Sequence, residues 1–330
     1  MKLEHVAGKL CLDECTALAV CIAVMAFVYL AGCCALVRLI ANRGRRPVSL
    51  PDKVALALSA IGSLCIAYGF FVEPYTLTVT EVQIPTAKLK ADAHPIRIVH
   101  LSDMHSDPQP RLEPELPARV AALKPDIIVF TGDAVNAPAG VGIFKTCLKQ
   151  LAAIAPTYAV FGNHDSRTWT RLDLYEGTGV KVLHAENAHI NVEGADIAII
   201  GVGVDEEWKL ERAFKGVSAD TFNVFLHHFP AEVSRITDRK VDLFCAGHTH
   251  GGQVALPGYG AIITRSKTGK KYEAGLYQVG GMRLYVNRGI GMEGGSPRVR
   301  FMAPPEITVL DIVPVRAGLA DATETSLRPH

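Results

Sequence analysis

Five short motifs rich in aspartate, asparagine and histidine contain the side chains of this chain that are best suited to chemistry. They are Asp103-Met104-His105, Gly132-Asp133, Gly162-Asn163-His164-Asp165, His227-His228 and Gly247-His248-Thr249-His250. Carboxylate, imidazole and amide groups without a thiolate are ligands that suit Mn, Fe and Zn. Two such ions roughly 3.5 to 4 Å apart can bridge an attacking hydroxide and clamp phosphoryl oxygens. The motifs therefore predict a two-metal centre that hydrolyses phosphate esters.

Each motif follows an apolar run that is typical of a buried strand. The runs cover residues 96–101, 126–131, 158–161, 222–226 and 241–246. Helix-like stretches, such as residues 115–123 and 143–153, alternate with these strands. This alternation predicts a layered α/β domain in which the ligands gather at the strand ends.

Residues 180–202 have a different pattern, with three short β-like segments at residues 181–184, 188–192 and 196–202 and a turn at Gly194. Successive strands of this kind predict a second sheet. The Gly-rich C-terminal third adds predicted strands at residues 283–286 and 306–313, and residues 314–330 are predicted to form a frayed tail.

One carboxylate of a two-metal site must contact both ions. Asp133 ends an apolar strand and precedes a loop, which makes it the natural bridge. Asp103 and His105 are two residues apart in extended chain and can point the same way. We assign the remaining ligands to one ion each: Asp103, His105 and His250 to the first, and Asn163, His228 and His248 to the second.

In their order and spacing, these motifs resemble the calcineurin-like metallophosphoesterase superfamily, whose pattern is DxH, GD, GNH, H and GHxH. The similarity spans residues 95–312 and is closest to the membrane-associated bacterial branch, in which residues 247–253 and 304–307 have counterparts. The resemblance implies a four-layer α/β/β/α metallophosphatase sandwich and the ligand assignment above. It also implies that His164 is not a ligand but stabilises the phosphoryl transition state or protonates the leaving oxygen. Manganese is the metal it favours, with iron or zinc as alternatives.

Two positions need comment beside this resemblance. Of the adjacent pair His227 and His228 we choose His228, because the family ligand usually stands two residues before a proline, here Pro230. Asn136 departs from the family, in which an aspartate often stands at this position and helps to orient the catalytic histidine. An amide there brings no charge and would alter the acidity of His164.

Two apolar stretches precede the domain. Residues 15–37 are uncharged over 23 residues and residues 54–71 over 18, so residues 1–72 are predicted to form a transmembrane helical hairpin. Five basic residues between them would hold the connecting loop in the cytoplasm: Arg38, Arg43, Arg45, Arg46 and Lys53. This predicts a multi-pass protein of the cell (inner) membrane. A linker strand in residues 73–94 then leads to an extracytoplasmic catalytic domain, residues 95–313, close to the lipid bilayer.

Two other interpretations of the N-terminal region stay open. The sequence Leu30-Ala31-Gly32-Cys33 resembles a lipoprotein processing box, although apolar sequence continues after Cys33. Residues 54–71 could also form a buried or interfacial helix, which would place the domain on the other side of the membrane.

Composition narrows the function classes. The formal net charge of +1 and the absence of long Lys/Arg runs give no case for a nucleic-acid scaffold. No zinc-type CxxC pair exists, and Cys245 in a strand run is predicted to be a core residue.

The leading prediction is a membrane-anchored phosphodiesterase acting on a phosphodiester or a lipid-linked phosphate. One alternative is a pyrophosphatase of a nucleotide-linked lipid precursor, of the UDP-2,3-diacylglucosamine type used in lipid A synthesis. The other is a metal-binding membrane protein without catalysis.

Overall fold

Two mixed six-stranded sheets form the centre of the C-terminal part of the chain. The computed structural model describes residues 12–42, 45, 47–293 and 298–315. Arg43 and Arg46 of the predicted basic loop, residues 1–11 of the predicted anchor and residues 316–330 of the predicted tail lie outside the described residues. The described helices are α1 (Leu12–Asn42), α2 (Leu50–Phe71), α3 (Leu116–Ala122), α4 (Val141–Ala152), α5 (Leu210–Ala213) and α6 (Val233–Ile236).

The strands are β1 (Thr78–Thr86), β2 (Ile96–Leu101), β3 (Ile127–Phe130), β4 (Thr157–Ala159), β5 (Lys181–Val182), β6 (Glu186–Val192), β7 (Ala195–Gly201), β8 (Phe222–Leu226), β9 (Leu243–Ala246), β10 (Ala255–Leu256), β11 (Gly260–Ala261), β12 (Gly275–Val279), β13 (Met282–Val286) and β14 (Glu306–Pro314). They alternate with the helices from β2 to β4 and from β7 to β9. The first sheet has the order β1-β14-β2-β3-β4-β5 and the second β12-β13-β9-β8-β7-β6. In both sheets the strands that precede the motifs run parallel to one another, so their carboxyl ends lie at the same edge.

Three apolar clusters define four layers. Because successive strand residues point to opposite faces, Ile98 of β2 packs between the sheets together with Val224 of β8, while Val99 faces outward. The outer face of the first sheet packs on α3 and α4, for example through Phe144. The outer face of the second packs on α5 and α6, for example through Ile236. This order of layers confirms the predicted α/β/β/α sandwich.

The predicted strands are present, with one difference in how they are arranged. Residues 181–182 pair with β4 and therefore belong to the first sheet, whereas the sequence pattern groups them with the strands of the second. Strands β10, β11 and β12 were not predicted. The segment 73–94, predicted as a linker strand, contributes β1, which pairs in parallel with β14 along all nine of its residues. The chain thus enters the domain as an edge strand.

Helices α1 and α2 form the predicted helical hairpin. The Ser59 hydroxyl donates to the Val28 carbonyl at 3.1 Å, and at the connecting end Arg38 pairs with Asp52 at 2.6 Å. Both helices are long and apolar enough to cross a membrane by length and composition. Only 6% of the α2 apolar window is buried, which excludes the interpretation of α2 as a buried core helix. Cys245 lies fully buried between the sheets, as predicted for a core residue.

Candidate metal centre

The loops after β2, β3, β8 and β9 bring two carboxylates and three imidazoles into one buried cluster. The Asp133 carboxylate lies between two rings, with Oδ2 at 3.5 Å from His105 Nε2 and at 3.3 Å from His228 Nε2. His250 Nε2 lies 3.2 Å from Asp103 Oδ1. Each of these five residues is at least 95% buried. Side chains that are 145 residues apart in sequence can therefore act on one ligand.

Three sets of these groups could hold a metal ion, since their ligand atoms lie within 4.8 Å of one another. The sets are Asp103-His105-His250, Asp103-Asp133-His228 and His105-Asp133-His164. Asn163 and His248 complete the surroundings. The Asn163 Oδ1 atom is buried without a hydrogen-bond partner in the described part of the chain, and the His248 ring lies 5.2 Å from that of His228.

Hydrogen bonds to the outer ring nitrogens decide which nitrogen of each histidine faces the cluster. His105 Nδ1 donates to Asn136 Oδ1 at 2.9 Å, and His228 Nδ1 donates to the Thr131 carbonyl at 2.8 Å. Their Nε2 atoms then face the cluster, buried and without a hydrogen-bond partner among the described residues. His248 reverses the pattern, because its Nε2 donates to the Arg265 carbonyl at 3.2 Å and leaves Nδ1 as its lone-pair atom. Imidazoles that are anchored to an oxygen through one ring nitrogen and present the other to a cluster of carboxylates are typical metal ligands, so these residues fit divalent ions.

The neighbouring histidines offset the cost of burying the two carboxylates in their ionised form. Burial favours the neutral acids, but His250 and His228 lower the pKa of Asp103, and His228 lowers that of Asp133. Burial likewise disfavours the His228 cation, yet Asp133 and Asp103 raise the pKa of His228 to about 9. The cluster therefore holds two ionised carboxylates that favour a cation between them.

The ligand loops have an unusual backbone. Five of the seven predicted ligands have positive φ: Asp103 at 49°, His105 at 42°, Asp133 at 59°, His248 at 74° and His250 at 53°. Side chains rarely adopt this left-handed region, and each such residue costs on the order of 1–3 kcal/mol, which concentrates at functional sites. At two motif positions only glycine fits, because a Cβ atom would collide with a carboxylate of the cluster. A Cβ atom at Gly162 would lie 2.2 Å from Asp133 Oδ1, and one at Gly247 would lie 2.2 Å from Asp103 Oδ2.

Asp165 has a structural role that the sequence analysis missed, although it is the fourth residue of the motif Gly162-Asn163-His164-Asp165. Its carboxylate accepts the backbone N–H groups of Gly162 at 2.8 Å and of Asp133 and Ala134 at 2.9 Å. Burial and the neighbouring Asp133 raise the pKa of Asp165 to about 6. Asp165 therefore ties the loop after β4 to the loop that carries the central carboxylate. A second missed group is Ser102, whose hydroxyl donates to Asp103 Oδ2 at 2.5 Å.

Asn136 contacts His105, so the prediction that position 136 bears on His164 was wrong. Besides accepting from His105, it donates through Nδ2 to the carbonyls of His105 at 3.0 Å and Met292 at 2.9 Å, and to Asp107 Oδ1 at 3.3 Å. One end of the side chain meets a donor and the other end meets three oxygens. Only an amide satisfies both ends, which explains the departure from aspartate in this chain.

Replacing Asn136 with aspartate is expected to destabilise the protein. The new carboxylate oxygen would face the three oxygens that now accept from the Asn136 amide. Each buried acceptor that loses its donor costs about 1–3 kcal/mol. Thermal unfolding should show a lower Tm for Asn136→Asp than for the parent, both with and without added metal. An unchanged Tm in both conditions would contradict this arrangement. Gln150→Glu on the exposed face of α4 makes the same change from amide to carboxylate and is the matched control.

The remaining predicted residues lie at the edge of the cluster. His164 is 19% exposed, and its ring lies 4.9 Å from that of His105. His227 points away from the cluster: its Nδ1 accepts the Phe229 N–H at 3.0 Å and its Nε2 lies 3.4 Å from Glu207. Arg167, close after Asp165 in sequence, forms a two-pronged ion pair with Asp205 at 2.9 and 2.6 Å.

Comparison with known proteins agrees with this geometry. Residues 96–252 match the family described as calcineurin-like phosphoesterase. The chain is 34% identical over 273 residues to the uncharacterized metallophosphoesterase YkuE of Bacillus subtilis (strain 168), covering 78% of this chain and 92% of that relative.

Two further relatives have names that state an activity. The chain is 31% identical over 240 residues to the phosphodiesterase YaeI of Escherichia coli (strain K12), covering 69% of this chain and 86% of the relative. It is 26% identical over 306 residues to the UDP-2,3-diacylglucosamine pyrophosphatase LpxG of Chlamydia trachomatis serovar D, covering 72% and 90%. Together with the predicted motifs, these matches show that the chain belongs to the calcineurin-like phosphoesterase family of hydrolases.

Proposed function

We propose that this protein is a membrane-anchored, two-metal phosphodiesterase. The observation that carries the proposal is that the buried Nε2 atoms of His105 and His228 face the ionised carboxylate of Asp133 and have no hydrogen-bond partner among the described residues. Such atoms are costly to bury unless a cation occupies the space between them. The residues that would hold the ions are the seven predicted ligands: Asp103, His105, Asp133, Asn163, His228, His248 and His250.

The chain's own residues divide the work. Two divalent ions, when bound, lower the pKa of a water molecule and neutralise charge on the phosphoryl group. Asp133 would hold both ions, because it lies between rings assigned to different ions. The Asn163 amide would hold one ion through Oδ1 and would donate to a phosphoryl oxygen through Nδ2. His164, at the exposed edge of the cluster, holds the proton that the departing oxygen requires. We take manganese as the first metal to test, with iron and zinc next.

The two helices support the membrane anchor. α1 begins and α2 ends beside the C-terminal domain, so the Arg38–Asp52 end of the hairpin points away from it. With basic residues concentrated at that far end, the positive-inside rule places the connecting loop in the cytoplasm and the domain outside it. A two-pass topology in the cell membrane with an extracytoplasmic active site follows. Protease treatment of intact spheroplasts should then digest the domain.

The name of one relative favours a second candidate function. LpxG is named as a pyrophosphatase of UDP-2,3-diacylglucosamine. A pyrophosphate link in a nucleotide-bound lipid presents the same charged phosphoryl group to the metal centre. Such precursors are made in the cytosol, so a protease-protected domain would favour this candidate over a periplasmic phosphodiesterase.

Hydrolysis by the full chain in lipid nanodiscs tests the proposal. After chelation and readdition of Mn²⁺, we expect cleavage of bis(p-nitrophenyl) phosphate that rises with the metal content up to two ions per chain. The nucleotide-linked lipid pyrophosphate and glycerol phosphodiesters are compared at equal concentration, and a kcat/KM higher for the pyrophosphate would favour the second candidate. A protein that binds two ions but hydrolyses none of these compounds would contradict both and leave the non-catalytic alternative.

A further inference from the structure

A buried glutamate in the first turn of α1 contacts the C-terminal domain directly. Glu14 is only 1% exposed, and its Oε1 accepts the backbone N–H of Thr264 at 2.9 Å and the Thr264 hydroxyl at 2.5 Å. An apolar helix that serves only as an anchor gains nothing from a buried carboxylate, because removing the charge from water is costly. The contact therefore has a role within the domain that the anchor does not explain.

Thr264 directly precedes the residue that orients a metal ligand. The Arg265 carbonyl accepts the Nε2 proton of His248, and this contact leaves Nδ1 as the atom with the lone pair. Arg265 itself has a positive φ of 54°, so the local chain does not favour this carbonyl direction without support. Glu14 supplies such support by accepting from the backbone N–H and the hydroxyl of the preceding residue. The link thus runs from α1 through residues 264–265 to His248.

A second buried glutamate makes an equivalent link at the end of α2. Glu73 is 3% exposed and accepts the N–H groups of Met302 at 2.9 Å and Ala303 at 2.6 Å. The same segment is fixed to α2 itself, since the Arg300 N–H donates to the Gly69 carbonyl at 3.0 Å.

Arg300 carries this second link to the cluster. Its side chain is completely buried, and its guanidinium donates to backbone carbonyls, among them Arg288 at 2.8 Å and Ala303 at 2.6 Å. Its Nη2 lies 3.4 Å from Nδ1 of His250, on the side of the ring opposite Asp103. A guanidinium held by several carbonyls is rigid, so its contact on the Nδ1 side limits the movement of the His250 ring. The link thus runs from the end of α2 through residues 300–303 to His250.

We propose that the helical hairpin completes the metal centre, with Glu14 and Glu73 as positioning residues for His248 and His250. The inference rests on the proposed function, because it takes both histidines as metal ligands. The two histidines belong to different ions in our assignment, so each glutamate supports one of the two metal sites. The hairpin is then part of the catalytic centre as well as its anchor.

Metal binding by the full chain in nanodiscs tests this proposal through a readout other than activity. Glu14→Ala is expected to weaken the binding of one of the two Mn²⁺ ions by about 10-fold, the low end of the 10–100-fold loss for a direct hydrogen-bond partner of a ligand, because Glu14 acts on His248 through residues 264–265. At limiting Mn²⁺ its electron paramagnetic resonance spectrum should change from that of a coupled pair to that of single ions. Glu73→Ala should weaken the binding of the other Mn²⁺ ion by a similar factor.

Conservative replacement and a remote control separate positioning from general stability. Glu14→Gln keeps an oxygen that accepts from Thr264 and should restore the coupled spectrum. Asp52→Ala breaks the Arg38 ion pair at the far end of the hairpin and should leave both ions bound as in the parent.

The outcomes distinguish this inference from the proposed function. A parent that hydrolyses diesters with two ions, beside a Glu14→Ala variant with unchanged metal affinity, would overturn the inference alone. If Glu14→Ala does not fold, the Glu14→Gln variant decides the question. Weaker Mn²⁺ binding in this variant, despite the retained acceptor oxygen, would also overturn the inference. A parent that binds no metal would instead refute the proposed function first.

Discussion

Replacing Asp133 with asparagine is expected to abolish phosphodiester hydrolysis and to reduce the bound metal to fewer than two ions per chain. The Oδ2 atom lies within 3.5 Å of the Nε2 atoms of both His105 and His228, so the loss of its charge affects both metal sites. Asp133 Oδ1 accepts the backbone N–H of His164 at 2.8 Å. Asparagine keeps the size of the side chain and an oxygen that can accept this backbone hydrogen bond. The loop should therefore stay folded while the charge is lost.

The expected magnitude follows from the position of the residue. Loss of an outer partner of a ligand costs about 10–100-fold, so loss of the shared ligand should lower kcat/KM by at least ~10³-fold. Metal content by elemental analysis and kcat/KM at saturating Mn²⁺ are the two measurements. Asp196→Asn at the exposed start of β7 removes a carboxylate far from the cluster and should change neither value. Retention of both ions by Asp133→Asn within twofold of the parent affinity would contradict the bridging role.

The position of the centre could be predicted because it depends on regular structure. Apolar runs such as residues 96–101 and 222–226 form parallel strands whose carboxyl ends share an edge, so residues that follow them must lie close together. Asp103, Asp133 and His228 accordingly meet in one cluster. The choice between His227 and His228 also agrees with the geometry, since only His228 turns toward the carboxylates.

Features that depend on irregular backbone could not be predicted. The Asn136 side chain contacts His105 rather than His164. The loops that carry these residues contain residues with positive φ, and hydrophobic periodicity does not predict the direction of such loops. Residues 181–182 form only a two-residue edge, too short for the pattern to assign them to a sheet. The contact between Glu14 and Thr264 joins residues 250 positions apart, and its only trace in the sequence is an acidic residue at the start of an apolar helix.

Replacing His164 with alanine is expected to affect substrates according to their leaving groups. A general acid contributes typically 10²–10⁴-fold, so cleavage of a diester with an alkyl leaving group should slow by about that factor. A p-nitrophenolate departs without a proton, and its release should slow by no more than about tenfold, within what lost positioning alone can cost. His189→Ala on the exposed face of β6 serves as the control and should leave both substrates unaffected.

The same variant separates the three roles that the geometry allows His164. If the imidazole stabilises charge on the phosphoryl oxygens, both leaving groups should lose the same factor, because that charge develops with either substrate. If it binds metal, as its position near His105 and Asp133 would permit, the variant should lose an ion. We expect two ions to remain, since His164 lies at the exposed edge and its Nε2 is 3.9 Å from Glu293. A loss that depends on the leaving group with full metal content therefore identifies His164 as the acid, and equal losses would refute that role.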